Sequence, residues 1–236
     1  MQFLKILFIT VVLLHFCIFT VYGAEIKSER FVYKSSDKKF SITIIYPQVS
    51  GLEDKNVEKE VNKFLKKGFL TGYEGVYGRS VNFLDKKDLE FCHKDLIENF
   101  GNNSTYNIEV EYNIGVNKNN ILSIHYTGLA MLTPSAHPSK LLKTFTVNLK
   151  DGKIYTFKDL FKEKSNYMSL MEKLIKKHDL YIEKQKESYD FYLTTDELIL
   201  ININTSYAIQ GFEGNIKFQE IKDIINEKGP IGILMK

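Results

Sequence analysis

A cysteine and a histidine, two residue types that act together in nucleophilic catalysis, are adjacent in this sequence. Cys92 and His93 could act as a nucleophile beside its base. However, neighbours on a helix point about 100° apart, and both residues lie within an apolar stripe. Because a buried cysteine often behaves as a small hydrophobic residue, we interpret the pair as part of a core.

Carboxylates that stand close together offer a second possibility, because two of them can hydrolyse a glycosidic bond. Asp85, Asp88 and Glu90 form one group, and Asp196 with Glu197 forms another. Each group lies at the predicted start of a helix or in a turn, where carboxylates commonly cap backbone amides. We therefore predict solvated caps, so a hydrolase would need other carboxylates that the fold brings together.

Metal and cofactor motifs are missing from the sequence. It contains no HExxH, no CxxC and no calcium loop, and it has no GxSxG, SxxK or P-loop pattern. We therefore expect no metal and no cofactor. The 32 Lys and Arg residues balance 29 Asp and Glu, for a net charge of +3, which argues against a nucleic-acid binder that neutralises phosphates.

Two histidines outside the helices have different surroundings. Pro138 restricts the backbone of His137 to an extended conformation and so fixes the direction of its ring, for a structural hydrogen bond or for a binding surface. His125 lies on the polar face of a predicted strand, and we expect it at the surface or an edge.

The N terminus has the order of a secretory signal. A lysine precedes an apolar run over residues 6–22, and the small residues Gly23 and Ala24 follow. This order predicts a signal peptide over residues 1–23 and an exported chain, located in the periplasm, at the cell surface or outside the cell. The alternative is a retained membrane anchor. After cleavage only Cys92 would remain, so we expect no intrachain disulfide.

Alternating apolar residues predict antiparallel hairpins. The paired segments are 30–35 with 40–46, 105–117 with 121–132, 144–149 with 154–157, and 191–194 with 198–203. In the third hairpin, Asp151 and Gly152 supply a two-residue turn in which Gly152 takes a positive φ.

Apolar residues three and four positions apart predict amphipathic helices. They cover 57–65, with Gly68 as the C-cap, then 85–100, with Gly101 directly after it, and 164–178. A last helix near 221–225 should end at Gly229-Pro230. Together these elements predict an α+β fold with antiparallel sheets and amphipathic helices packed on one face. At Thr133-Pro134, proline and small polar residues interrupt the run of predicted strands. We therefore predict two domains in the mature chain, residues 24–133 and 134–236.

Several segments resemble a known extracytoplasmic family. They are Ser135-Ala136-His137-Pro138, residues 145–152, Lys158-Asp159-Leu160-Phe161, residues 191–203, and Tyr207, Ile209, Phe212 and Gly214. Together they are similar to the C-terminal domain of unknown function in the ectodomain of the bacterial anti-sigma factor that senses lysozyme. Residues 34–133 resemble its smaller partner domain, and similar domains precede some peptidoglycan deacetylases. The sigma-binding and deacetylase domains themselves are not expected here.

The resemblance implies an exported, non-enzymatic binding module for a cell-envelope component, such as a glycan, or for a secreted lysozyme-type protein. Membrane contact is expected only through an uncleaved signal. The resemblance marks His137, Pro138, Tyr207 and Phe212 as the ligand-binding surface, where two aromatic rings would offer flat contact area. Alternatively, Tyr207 and Phe212 seal a core. Two other functions stay open: a cell-wall glycan or peptide hydrolase, and a structural accessory domain of an envelope complex.

Overall fold

The structure is a computed structural model that describes residues 23–184 and 188–236. The predicted signal falls almost wholly outside these residues. In chain order, the elements are β1 (Glu25–Lys34), β2 (Phe40–Ser50), α1 (Lys55–Leu70), β3 (Thr71–Tyr73), β4 (Val81–Asn82), α2 (Lys86–Phe100), β5 (Thr105–Lys118), β6 (Ile121–Thr133), β7 (Ser139–Asn148), α3 (Tyr167–Lys177), β8 (Asp190–Leu193), β9 (Glu197–Ile201), β10 (Glu213–Lys217), α4 (Phe218–Ile221) and α5 (Pro230–Leu234).

A five-stranded sheet dominates the first part of the fold, with strand order β1-β2-β5-β6-β7. The predicted hairpins β1–β2 and β5–β6 are confirmed, and β6–β7 is a third antiparallel pair. The α+β class with antiparallel sheets is therefore confirmed. However, β2 and β5 run parallel, because the chain crosses over through both long helices before it rejoins the sheet.

The first core lies between this sheet and helices α1 and α2. Asp54 begins α1 by accepting hydrogen bonds from the amides of Asn56 and Val57. The apolar stripe of α1 then packs on the sheet, as the edge-to-face contact between Phe64 and Phe145 shows. In the same core are Phe40, Ile42, Ile44, Leu65, Leu70, Leu96, Tyr106, Ile108 and Tyr126.

Gly68 does not cap α1, so that prediction is wrong: the helix continues to Leu70. A Cβ atom at Gly68 would lie 2.8 Å from the ring of Phe145. Because glycine has no side chain, α1 can pack closely against the sheet at this position. The prediction for α2 is confirmed, because Asp85 is its N-cap and Gly101 its C-cap, with φ of 89°.

A second core surrounds the three-stranded sheet β10-β9-β8. The predicted hairpin β8–β9 is confirmed. Helix α3 contributes Met171 and Leu174 to this core. Gly229-Pro230 starts α5 instead of ending a helix, because proline at the first helical position loses no hydrogen bond.

The turn after β7 is wider than predicted. The Asn148 amide donates to the Lys153 carbonyl at 2.8 Å, so four residues lie between the closing pair. The two-residue hairpin is therefore wrong. The positive φ of Gly152, at 75°, is confirmed, because the turn still needs one left-handed residue.

The two sheets meet on the second face of the large sheet. The Leu193 amide of β8 donates to the buried hydroxyl of Ser123 at 2.9 Å. The polar face of β6, on which His125 lies, is therefore covered here. Strand β7 follows the predicted boundary at Thr133-Pro134 but pairs with β6, so that boundary does not separate the sheets. The two-domain division stays a prediction.

Candidate functional site

A cleft of about 720 Å³ lies at the free edge of β7. One wall consists of Phe69 and residues 71–75, from the end of α1 to the turn after β3. The floor consists of residues 140–144 of β7, and the other wall of Asp190 with Ile203, Asn204 and Gln210. Three distant segments of the chain thus form one concavity, whose volume lies within the roughly 300–1,000 Å³ of common ligand pockets.

Two lysine ammonium groups are fixed at this cleft by carbonyl oxygens. Lys143 donates from Nζ to the Gly68 carbonyl at 2.5 Å, near the C-terminal end of α1, where the helix dipole favours a cation. Lys140 donates from Nζ to the Gln210 carbonyl at 2.8 Å. Burial lowers the pKa of Lys143. Among residues 23–184 and 188–236, neither ammonium has a hydrogen-bonded carboxylate partner, so their charge is available to a ligand.

Asp190 is the most unusual acid of the cleft. It begins β8, and its Oδ2 is buried without a hydrogen-bond partner in the described part of the chain. Burial raises the pKa of this carboxyl group. Because an unpartnered buried polar atom costs roughly 1–3 kcal/mol, a ligand that hydrogen-bonds to Asp190 would recover that free energy. The second carboxylate of the cleft belongs to Glu74.

The structure brings only part of the predicted binding surface together. The rings of His137 and Tyr207 are stacked with centroids 6.2 Å apart, next to Pro138. Phe212 instead makes an edge-to-face contact with Tyr181 at 6.4 Å. Tyr207 is 52% exposed and Phe212 44%. The alternative that these rings seal a core is therefore wrong, while their role in binding stays a prediction.

Lys140 connects the stacked pair to the cleft. Its Nζ lies 5.2 Å from the centroid of the Tyr207 ring, within the range of a cation–π contact. The same ammonium donates to Gln210 in the cleft wall. The stacked pair of His137 and Tyr207 is thus connected to the cleft floor through Lys140.

The other chemistry candidates have structural roles. Cys92 is fully buried, as predicted. His93 is not buried beside it: its Nε2 lies 3.0 Å from Oδ2 of Asp37, on the turn between β1 and β2. Asp85 caps α2, and Asp88 accepts from the Asn82 amide and Arg79. Asp85 is a cap, as predicted, whereas Asp88 is an ion-pair partner of Arg79 and was predicted as a cap.

His125 was expected at the surface or an edge, and that prediction is wrong. Its ring stacks on Tyr192 of β8, with centroids 4.3 Å apart, at the junction of the two sheets. Its Nδ1 is buried without a partner among the described residues, and burial lowers the pKa of the imidazole. The polar face of the strand is covered by β8, which local periodicity does not reveal.

A second concavity, of about 660 Å³, lies on the outer face of the large sheet. It contains the side chains of Arg30, Glu109 and Glu111 beside those of Ile45 and Leu129. In the described ranges, no group of three or more His, Cys, Asp or Glu residues is close enough to hold a metal ion. Within the same ranges, no helix has the length and apolarity needed to cross a membrane.

Sequence reasoning missed Asp190, Lys143 and Glu74. Asp190 precedes an apolar strand, so it reads as a turn residue, and Lys143 stands on a half-buried strand. Their common location follows from the crossover before β5 and from the docking of β8, which are both long-range events. The one available signal was that an acid and a lysine each stand directly before the apolar residues of a predicted strand.

The comparisons with known proteins agree with this architecture. A protein-family model described as "Deacetylase PdaC" matches residues 33–140. No curated protein matches the chain. A crystal structure of a DUF3298 family member from Bacteroides fragilis is similar, with 15% sequence identity, a TM-score of 0.67, and coverage of 91% of this chain and 98% of that one.

A second crystal structure, of a DUF3298 family protein from Pseudomonas aeruginosa, has 9% identity and a TM-score of 0.58, and the match covers 86% of this chain and 96% of that one. At these identities the likeness shows the fold alone. The chain therefore has a DUF3298-type fold, whose N-terminal part is similar to the PdaC family model.

Proposed function

We propose that this chain is an exported, non-enzymatic binding module that holds a cell-envelope component or a secreted lysozyme-type protein in the cleft at β7. The resemblance of residues 34–133 to a domain that precedes some peptidoglycan deacetylases supports an envelope role, and the match of residues 33–140 to the family model described as "Deacetylase PdaC" agrees with that resemblance. The resemblance of residues 135–161 and 191–214 to the ectodomain of a lysozyme-sensing anti-sigma factor supports the second kind of ligand.

The observation that carries the proposal is the set of unsatisfied groups in the cleft. Asp190 has a buried carboxyl oxygen without a partner in the described structure. Lys140 and Lys143 bond only to carbonyl oxygens there. A ligand with hydroxyl or amide donors and at least one negative charge would satisfy both kinds of group. Peptidoglycan fragments and protein surfaces both carry this chemistry.

The experiment is calorimetric titration of the mature chain with lysozyme, muropeptides and glycan polymers. Asn204 is exposed in the cleft wall, so Asn204→Trp should obstruct the cleft without disturbing a core. Asn103, exposed in the turn before β5, provides the matched control Asn103→Trp. We expect the control to bind like the wild type and Asn204→Trp to lose at least tenfold in affinity. Absence of wild-type binding up to millimolar ligand would overturn the proposal.

A second candidate function is hydrolysis of an envelope glycan or peptide. Asp190, whose pKa is raised by burial, has the property required of a general acid. Glu74 lies in the same cleft and could act as the second carboxylate. The assay is release of soluble fragments from purified peptidoglycan, with Asp190→Asn as the inactive variant. Equal release from wild type, variant and buffer would exclude this function.

A further inference from the structure

Strand β7 is an edge strand, and its outward backbone groups can be identified from their neighbours. The Thr146 carbonyl accepts from the Tyr155 amide at 2.8 Å, and the Asn148 amide donates to the Lys153 carbonyl. At the other end, the Lys140 carbonyl accepts from the side chain of Gln210 at 3.4 Å. All three strand residues have even numbers. Because the backbone groups of a paired strand alternate in direction, the groups of Leu142 and Thr144 also point away from β6.

These outward groups have no partner within residues 23–184 and 188–236. Leu142 and Thr144 each present one amide and one carbonyl to the cleft, since β7 pairs with β6 alone and both residues line the cavity. Gln210 closes the edge at one end, and Tyr155 closes it at the other. Between these two ends, the unpaired amides and carbonyls of β7 alternate with the spacing of an extended strand. The backbone of a second extended chain can therefore form hydrogen bonds with them.

We propose that an extended polypeptide segment binds in this cleft as an added strand, paired with β7 through Leu142 and Thr144. The proposal rests on the proposed function, because it specifies the ligand of the same cleft. A sugar lacks the regular alternation of amide donors and carbonyl acceptors that this edge matches, whereas strand addition is a common mode of peptide recognition.

Charge at the edge defines the segment further. Lys140 and Lys143 flank Leu142, and their ammonium groups bond only to carbonyl oxygens of the described chain. A bound strand that carries acidic side chains would place carboxylates beside them, and such charge-assisted bonds are stronger than neutral ones. The segment is therefore an extended peptide with acidic side chains.

The surroundings of β7 distinguish it from the other edge of the large sheet. Strand β1 presents charged, exposed residues such as Lys27 and Glu29 along its free edge, which is a common protection against further pairing. The β7 edge instead lies between two walls, Phe69 with residues 71–75 and the loop with Asn204 and Gln210. The outward groups of β7 therefore face a recess, whereas those of β1 lie among exposed charged residues.

The test uses linear peptides selected from a phage-displayed library on the mature chain. Thr144→Pro removes the outward amide of Thr144 and is compatible with an edge strand. Thr144→Val keeps that amide and nearly the same side-chain shape. We expect selected peptides to be enriched in acidic residues and to bind Thr144→Pro at least about tenfold more weakly than Thr144→Val, because only the proline variant lacks the outward amide.

If Thr144→Pro does not fold, amide hydrogen exchange of the wild-type chain, measured with and without peptide, tests the proposal instead. Bound peptide should slow exchange of the Leu142 and Thr144 amides. Peptides that bind without this protection would overturn the strand proposal, as would a library that yields no binder. Binding of lysozyme or muropeptide that leaves both amides unprotected would leave the proposed function standing and refute only the added strand. Dimerisation that depends on protein concentration and protects these amides would show that a second copy of the chain pairs with β7. That result would also overturn the peptide proposal.

Discussion

The junction of the two sheets depends on one glycine, and its replacement gives a sharp prediction. Gly115 lies at an irregularity of β5, directly against β8. A Cβ atom there would lie 2.3 Å from the Leu193 carbonyl oxygen and 2.9 Å from the ring of Tyr192. The nearer neighbour is backbone, so no side-chain rotation can relieve the contact. Gly115→Ala must therefore push β8 away from the large sheet.

The cost can be worked from the contacts that would be lost. Overpacking at a close contact costs about 1–3 kcal/mol. Displacing β8 also strains the buried bond from the Leu193 amide to Ser123, whose net contribution is about 1 kcal/mol. We expect Gly115→Ala to lower the free energy of unfolding by about 3 kcal/mol. For a chain of this size, that corresponds to a melting temperature roughly 6–12 °C lower.

Urea denaturation followed by circular dichroism measures this loss. The matched control is Asn113→Ala, an exposed position in the same strand, which should change stability by no more than about 0.5 kcal/mol. If Gly115→Ala and Asn113→Ala unfold at the same urea concentration, β8 does not rest on β5 as described. The assignment of the covered face would then be refuted.

Three other outcomes follow from burial and exposure. Burial raises the pKa of the Cys92 thiol to about 11, so the folded chain should react slowly with thiol reagents at pH 8, and rapid labelling would contradict the packing of α2. Burial raises the pKa of Asp190 above its unfolded value, so its contribution to stability is full below about pH 4 and is lost as pH rises through the folded pKa. Asp190→Asn should therefore become more stable relative to the wild type as the pH is raised from about 4 to about 7, and a pH-independent difference in urea denaturation would refute this. Tyr207 is 52% exposed, so Tyr207→Ala should lose less than about 1 kcal/mol, and a loss above 2 kcal/mol would restore its core role.

Local patterns predicted the elements whose signals are local. Alternation from Thr105 to Leu132 predicted the β5–β6 hairpin, because residues adjacent in sequence are also neighbours in the ladder. Asp85 and Gly101 marked both ends of α2, because a cap acts within one helical turn.

The wrong predictions concern residues whose environment is set by contacts between segments far apart in the sequence. Gly68 looked like a helix end, but the ring of Phe145, far along the chain, requires a glycine within the helix. His125 looked exposed because its strand alternates, yet β8 covers that face. Asp190 was overlooked for the same reason. It becomes part of the cleft only because β8, which is far from β7 in the sequence, comes to lie beside it.

The central claim is that the cleft at β7 is a ligand site, and nuclear magnetic resonance of the isotope-labelled mature chain tests it most directly. On addition of muropeptides or lysozyme, we predict shift changes for the backbone amides of residues 69–75 and 140–144, with α2 unaffected. Shift changes confined to the outer face around Glu109 and Leu129, or none up to millimolar ligand, would contradict the claim.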